Sequence, residues 1–152
     1  MASTVARFPT VFVSLNHLLG GAEVLPVTPH APLDWVPVIR LGLSAAAVDA
    51  LTRFMRLSRA ELAAALSIPE RTLARRKREG RLNSEESSKL IRLARVLERA
   101  ETVFEDLNTA VDWLKTANAS LGGVTPLSLL DTDIGAEGVM DTLGRIEHGV
   151  FA

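Results

Sequence analysis

SRAELAAALSIPERTLARRKREG, residues 58 to 80, decides the fold. Ser58 with Glu61 and Ser67 with Glu70 each fit the S-x-x-E capping box, in which a hydroxyl accepts from one orphan amide and a carboxylate reaches back to another. The spacing predicts two helix starts nine residues apart. Gly80 supplies the left-handed position that ends the second helix. Two short helices joined by a tight turn, the second carrying five basic residues, have the form of a DNA-binding helix-turn-helix.

Within the second helix Leu73 is the inward residue, and Ile68 fills the turn before it. Arg71, Arg75 and Arg78 then share one face at spacings of 4 and 3, with Thr72, Arg76 and Lys77 around it. Guanidinium groups in that arrangement reach guanine O6 and N7 in pairs, while Lys and Thr settle phosphates. The competing reading is a solvated cationic face with no ligand. The capped helices on both sides favour DNA contact.

Moving toward the C-terminus, Asn83 with Glu86 opens a long helix whose apolar stripe is Leu90, Leu93, Val96, Leu97, Ala100 and Phe104. A further helix is predicted near Asp106 to Thr116. Thr125-Pro126 then forms an N-cap and first-turn pair. A last helix runs from Asp133 to before Gly149, with Val139, Leu143, Ile146 and Val150 on one face. It contains Gly135, Gly138 and Gly144, each costing about 1 kcal/mol against Ala in a helix interior. Packing or a partner must offset that cost. Moving the other way, Ser44 to Met55 reads as a helix with Val48, Leu51 and Met55 inward. Five prolines among the first forty residues block long helices there, so residues 1–40 are expected to form an irregular, partly mobile arm. Signals from Ser44 onward are helical, and the fold class is all-α.

Charge is unevenly distributed along the 152 residues, although the net value is only −1. Residues 53–81 carry nine basic and three acidic side chains, whereas from Glu98 onward ten acidic ones face Arg99, Lys115 and Arg145. One half can meet phosphate and the other repels it. The absence of Cys excludes disulfides and thiolate chemistry, and His17, His30 and His148 are not at metal-ligand spacing. No metal or cofactor is expected. A reducing cytoplasm fits, and Val11 to Leu19 is too short and polar for a membrane span. Asp131 and Asp133 serve a helix start more readily than a metal, and His148 has no paired nucleophile. Trp113 is read as core or interface, and Trp35 as a pin for the arm. LGG at 121–123 lacks the spacing and the Lys of a phosphate loop. An enzyme is not expected.

The strings RTLARRKREGRLNSEESSKLIRLARVLERAETVF (71–104), AVDWL (110–114), LGGVTPLSLLDTDIG (121–135) and LGRIEHGVF (143–151), with VIRLGLS (38–44) ahead of them, closely resemble the Xre/MbcA/ParS antitoxins. The resemblance spans residues 40 to 152. It departs at Glu105, where Gly is frequent, and at Ala117, where Pro often precedes Asn. It implies an N-terminal Xre/Cro-like helix-turn-helix domain (41–82), a connecting helix (83–104) and a small helical toxin-binding domain (105–152). The implied function is neutralisation of a cognate RES-domain, NAD-degrading toxin by covering its active site, with repression of the chain's own operon. The implied partners are that toxin, operator DNA and a second copy in a homodimer, joined in a higher-order complex with toxin. Toxin contact is expected at Leu130, Asp131, Thr132, Arg145, Glu147, His148, Val150, Phe151 and Ala152, and DNA contact at the six residues 71, 72, 75, 76, 77 and 78. The alternative is a stand-alone transcription regulator whose C-terminal domain dimerises or senses a ligand. A scaffold that never meets DNA is a third reading.

Overall fold

The computed structural model describes residues 14–149. Its helices are α1 (Leu15–Leu18), α2 (Trp35–Leu41), α3 (Ala45–Met55), α4 (Arg59–Leu66), α5 (Glu70–Glu79), α6 (Ser84–Phe104), α7 (Leu107–Leu114) and α8 (Asp133–Glu147). Short 3-10 turns occupy Gly21–Glu23, Pro32–Asp34, Ala119–Leu121 and Pro126–Leu129. Among the described residues there is no strand, only the isolated bridges Ser44 to Arg81 and Asn118 to Val124. No described helix is long and apolar enough to cross a membrane.

Helix α6 is the spine. Its stripe of Leu90, Leu93, Val96, Leu97 and Ala100 is buried, and α7 and α8 pack along it on one side while α1, α2 and α4 meet it elsewhere. A 21-residue helix outlasts its neighbours because Asn83 and Glu86 form the expected capping box and the buried stripe repeats along its length. The helix ends at Glu105, which sits in the left-handed region at φ 58°. A side chain with a Cβ is strained there, so the departure from Gly at this position has a conformational cost. Glu105→Gly is expected to raise stability by up to about 1 kcal/mol, read as a higher melting temperature. A lower melting temperature would show that the Glu105 side chain contributes more than its backbone costs.

Residues 14–40 differ from the expected irregular arm. The prolines do keep the helices short, but Leu18, Leu19, Leu25, Trp35 and Val38 are buried in the common core. Burial of apolar side chains, together with a Glu98 carboxylate accepting from the Leu15 amide at 2.7 Å, seats the segment on α6. Trp35 pins it as expected, at 7% exposure.

The turn of the helix-turn-helix is also built differently from its sequence reading. Ser58 and Glu61 close the first capping box, but Ser67 does not cap α5. It is the left-handed C-cap of α4 at φ 53°, with the Ile68 amide donating back to the Ala63 carbonyl at 3.0 Å. Helix α5 starts only at Glu70, so Glu70 stands at the first helical position and cannot reach back as a third-position partner. Pro69 is the N-cap, and Gly80 ends the helix at φ 91°. The unit is then closed on itself, because Leu82 donates to the Leu43 carbonyl (2.9 Å) and Ala45 to that of Gly80 (3.0 Å).

Candidate functional site

Helix α5 buries one residue, Leu73, and leaves Arg71, Arg75 and Arg78 exposed on the opposite side. Arg71 and Arg78 hold no ion pair among the described residues, and Arg75 lies 3.9 Å from Glu79 across one helical turn. Pairs at that exposure are weak and exchange readily for a stronger anion. Lys77 reaches Asp49 of α3 at 2.9 Å, and Thr72 is half-buried. Val48, Asp49, Thr52, Arg59, Leu62 and Arg71 line a hollow of about 460 Å³ where α3, α4 and α5 meet.

Arg76 is placed differently from its five neighbours. Its Nε donates to Glu86 at 2.8 Å and its Nη1 to Glu79 at 3.0 Å, turning it toward the start of α6. Burial pushes the Glu86 carboxyl up, but the Arg76 guanidinium and the Asn83 amide outweigh it and hold the group below the ordinary carboxylate range. Glu61 is held low by the Ser58 amide, and Glu147 by Arg99. A depressed folded pKa gives stability that is full above the ordinary carboxylate range and is lost as pH falls through it to the depressed value. The melting temperature is therefore expected to fall from neutral pH toward pH 3, less steeply in Glu86→Gln. A melting temperature that rises with acid would refute this.

At the other end, Arg92 Nη1 meets Asp133 at 2.5 Å and its Nε donates to the Leu130 carbonyl at 3.2 Å. Arg99 grips Glu147 with both nitrogens, at 2.6 and 3.2 Å. Arg92 and Arg99 of α6 thus hold both ends of α8. Thr132 caps the helix by accepting from Gly135 N at 3.0 Å, and His148 Nδ1 lies 2.8 Å from the Gly144 carbonyl at the C-cap. Leu130 is buried at 1% exposure, whereas Asp131 and Arg145 are exposed.

Residues 34–95 match the antitoxin Xre-like helix-turn-helix domain, and residues 99–149 match the antitoxin Xre/MbcA/ParS C-terminal toxin-binding domain. An "Antitoxin Xre" of Yersinia enterocolitica (serotype O:8 / biotype 1B) is 39% identical over 77% of this chain and 80% of its own length. The chain belongs to the Xre/MbcA/ParS antitoxins. A second "Antitoxin Xre", from Photorhabdus laumondii, is 34% identical over 76% of this chain and 79% of its own. A "Prs ADP-ribosylating antitoxin" from Sphingobium sp. (strain YBL2) is 26% identical over 80% and 83%.

In this antitoxin the match to the helix-turn-helix domain begins at residue 34, ahead of the expected 41, and reaches residue 95 within α6. Of the residues expected to meet toxin, Asp131, Thr132, Arg145, Glu147 and His148 are on the surface. Leu130 is core, Thr132 is a cap, Glu147 is ion-paired, and Val150, Phe151 and Ala152 lie outside the described residues. Sequence reading missed Ile134, which is 82% exposed on α8 beside Glu137 and Asp141. It falls outside the apolar stripe of its helix, and that was the available signal. The anchors Arg92 and Arg99 were missed too, since their partners are 41 and 48 residues away.

Proposed function

We propose that this antitoxin neutralises a cognate RES-domain, NAD-degrading toxin with its C-terminal domain and represses its own operon as a homodimer. The observation that carries the reading is the placement of an exposed arginine ridge and an exposed acidic helix on one packed body. Arg71, Arg75 and Arg78 suit base edges in the major groove, and Thr72 and Lys77 suit the phosphates beside them. The acidic surface of α8 and the turn before it, with Asp131, Glu137 and Asp141, suits the basic rim of a pocket that takes an anionic dinucleotide. Residues 145–152 are proposed to reach that pocket, with Arg145 and His148 at the contact. The antitoxin acts by binding rather than catalysis, in the cytoplasm, and each toxin complex contains paired recognition helices on a palindromic site.

Co-expression with the neighbouring RES-type gene product tests the first half. Growth should be restored and the two chains should co-purify. Persistent growth arrest with both chains soluble would sink it. Deleting α8 is a poor probe, because Ala136, Val139 and Leu143 complete the core. Surface changes such as Ile134→Asp together with Arg145→Glu leave that packing intact. They should weaken neutralisation while leaving binding to the upstream DNA unchanged.

A further inference from the structure

We infer that Arg76 and Glu86 form the positioning latch of the recognition helix, setting the angle at which Arg71, Arg75 and Arg78 meet DNA, and that Arg76 does not itself touch the nucleic acid. This rests on the DNA-binding reading of α5.

Helix α5 is weakly fixed by its own packing. It has ten residues, one buried side chain and an N-cap, Pro69, that contributes no side-chain bond. A single apolar anchor permits rotation about the helix axis. Beside the backbone bond from the Ala45 amide to the C-cap Gly80 carbonyl at 3.0 Å, two flanking side-chain contacts oppose it. On one side Lys77 meets Asp49, with side chains 45% and 46% exposed, a geometry in which ion pairs restrain little. On the other, Arg76 and Glu86 are only 21% and 9% exposed. Glu86 Oε1 accepts both Arg76 Nε at 2.8 Å and the Asn83 amide at 2.9 Å, while the Glu86 amide donates to Asn83 Oδ1 at 2.8 Å. One carboxylate oxygen therefore caps α6 and holds α5. The planar guanidinium, splitting its donors between Glu86 and Glu79, fixes an orientation that a point charge would not. The geometry is sensitive: a rotation of about 20° moves groups roughly 6 Å from the axis by about 2 Å, more than a hydrogen bond tolerates.

The test is the affinity of the full chain for a duplex of its own upstream region over a salt series, with growth rescue measured in parallel. Arg76→Ala and Glu86→Gln should each weaken binding roughly tenfold, about one lost bidentate contact. The double variant should be no weaker than the worse single one, and the salt slope should equal that of the parent. Arg76→Lys should recover part of the loss. Gln keeps the oxygen that serves the Asn83 amide but removes the charge that strengthens the bond to the guanidinium, so α6 stays capped in Glu86→Gln while the hold on Arg76 weakens. Growth rescue should persist in all of them. The latch is overturned if Arg76→Ala lowers the salt slope by about one, as loss of a phosphate contact does, while Glu86→Gln binds like the parent. Equal losses of operator binding and growth rescue would also overturn it, by making the pair a support of the whole fold. If the unmodified chain fails to shift the duplex, the DNA-binding reading falls and takes the latch with it.

Discussion

Gly135→Ala is expected to lower the melting temperature by roughly 10 °C, the size of a change of about 3 kcal/mol in a chain of this length. A Cβ at this position would lie 1.9 Å from the Leu129 carbonyl oxygen and 2.9 Å from Thr132 Oγ1. The nearest obstacle is backbone, so no side-chain rotation relieves it. Relief requires the start of α8 to move away from the Pro126–Leu129 turn. That movement would disturb the buried Leu127 and Leu130 and the Arg92 hydrogen bond to the Leu130 carbonyl. The other two glycines of α8 provide the control. A Cβ on Gly138 or Gly144 would meet nothing within 4 Å, so alanine there should stabilise by about 1 kcal/mol each. Thermal melts of the three variants test the assignment directly, and a Gly135→Ala chain that melts with or above its parent would refute it. Growth rescue should weaken in Gly135→Ala alone.

Replacing Arg75 and Arg78 together with alanine should reduce operator affinity at least about 30-fold, taking each bidentate base contact at the low end of its usual contribution. If one or both bind phosphate instead, the salt slope will fall by about one for each such contact. Fluorescence anisotropy over a salt series separates the two cases. Both side chains are exposed and make no contribution to the core, so stability and toxin neutralisation should be unchanged. Unaltered affinity in the double variant would favour the scaffold reading, in which the cationic face never meets DNA.

Much of this was legible in the sequence where the information is local. The capping boxes at Ser58 and Asn83, the glycine at position 80 and the stripe of α6 each involve residues within a turn or two of each other. Ser67 misled because S-x-x-E describes a spacing, and the same spacing arises when a helix ends at Ser67 and another begins at Glu70. The seating of residues 14–40 was hidden because prolines report backbone interruption and say nothing of whether Leu18 or Trp35 finds a neighbour. Arg76 was indistinguishable from Arg75 for a similar reason. Its role depends on Glu86, on a different helix. Leu130 stands in the LSLLDT string that carries the resemblance, and an apolar residue inside a motif serves a core as well as a surface.

The buried apolar residues form one continuous cluster from Leu15 through α3, α4 and α6 to Leu143. The DNA-facing and toxin-facing halves have no seam between them, and Arg56 of the first half is joined to Asp112 of the second at 2.6 Å. Because both halves share this core, a protease that captures an opened molecule is expected to remove both proposed activities in one event. On the proposed function, release of the toxin and release of the promoter are then expected to coincide in each degraded copy, so that both report how much antitoxin remains.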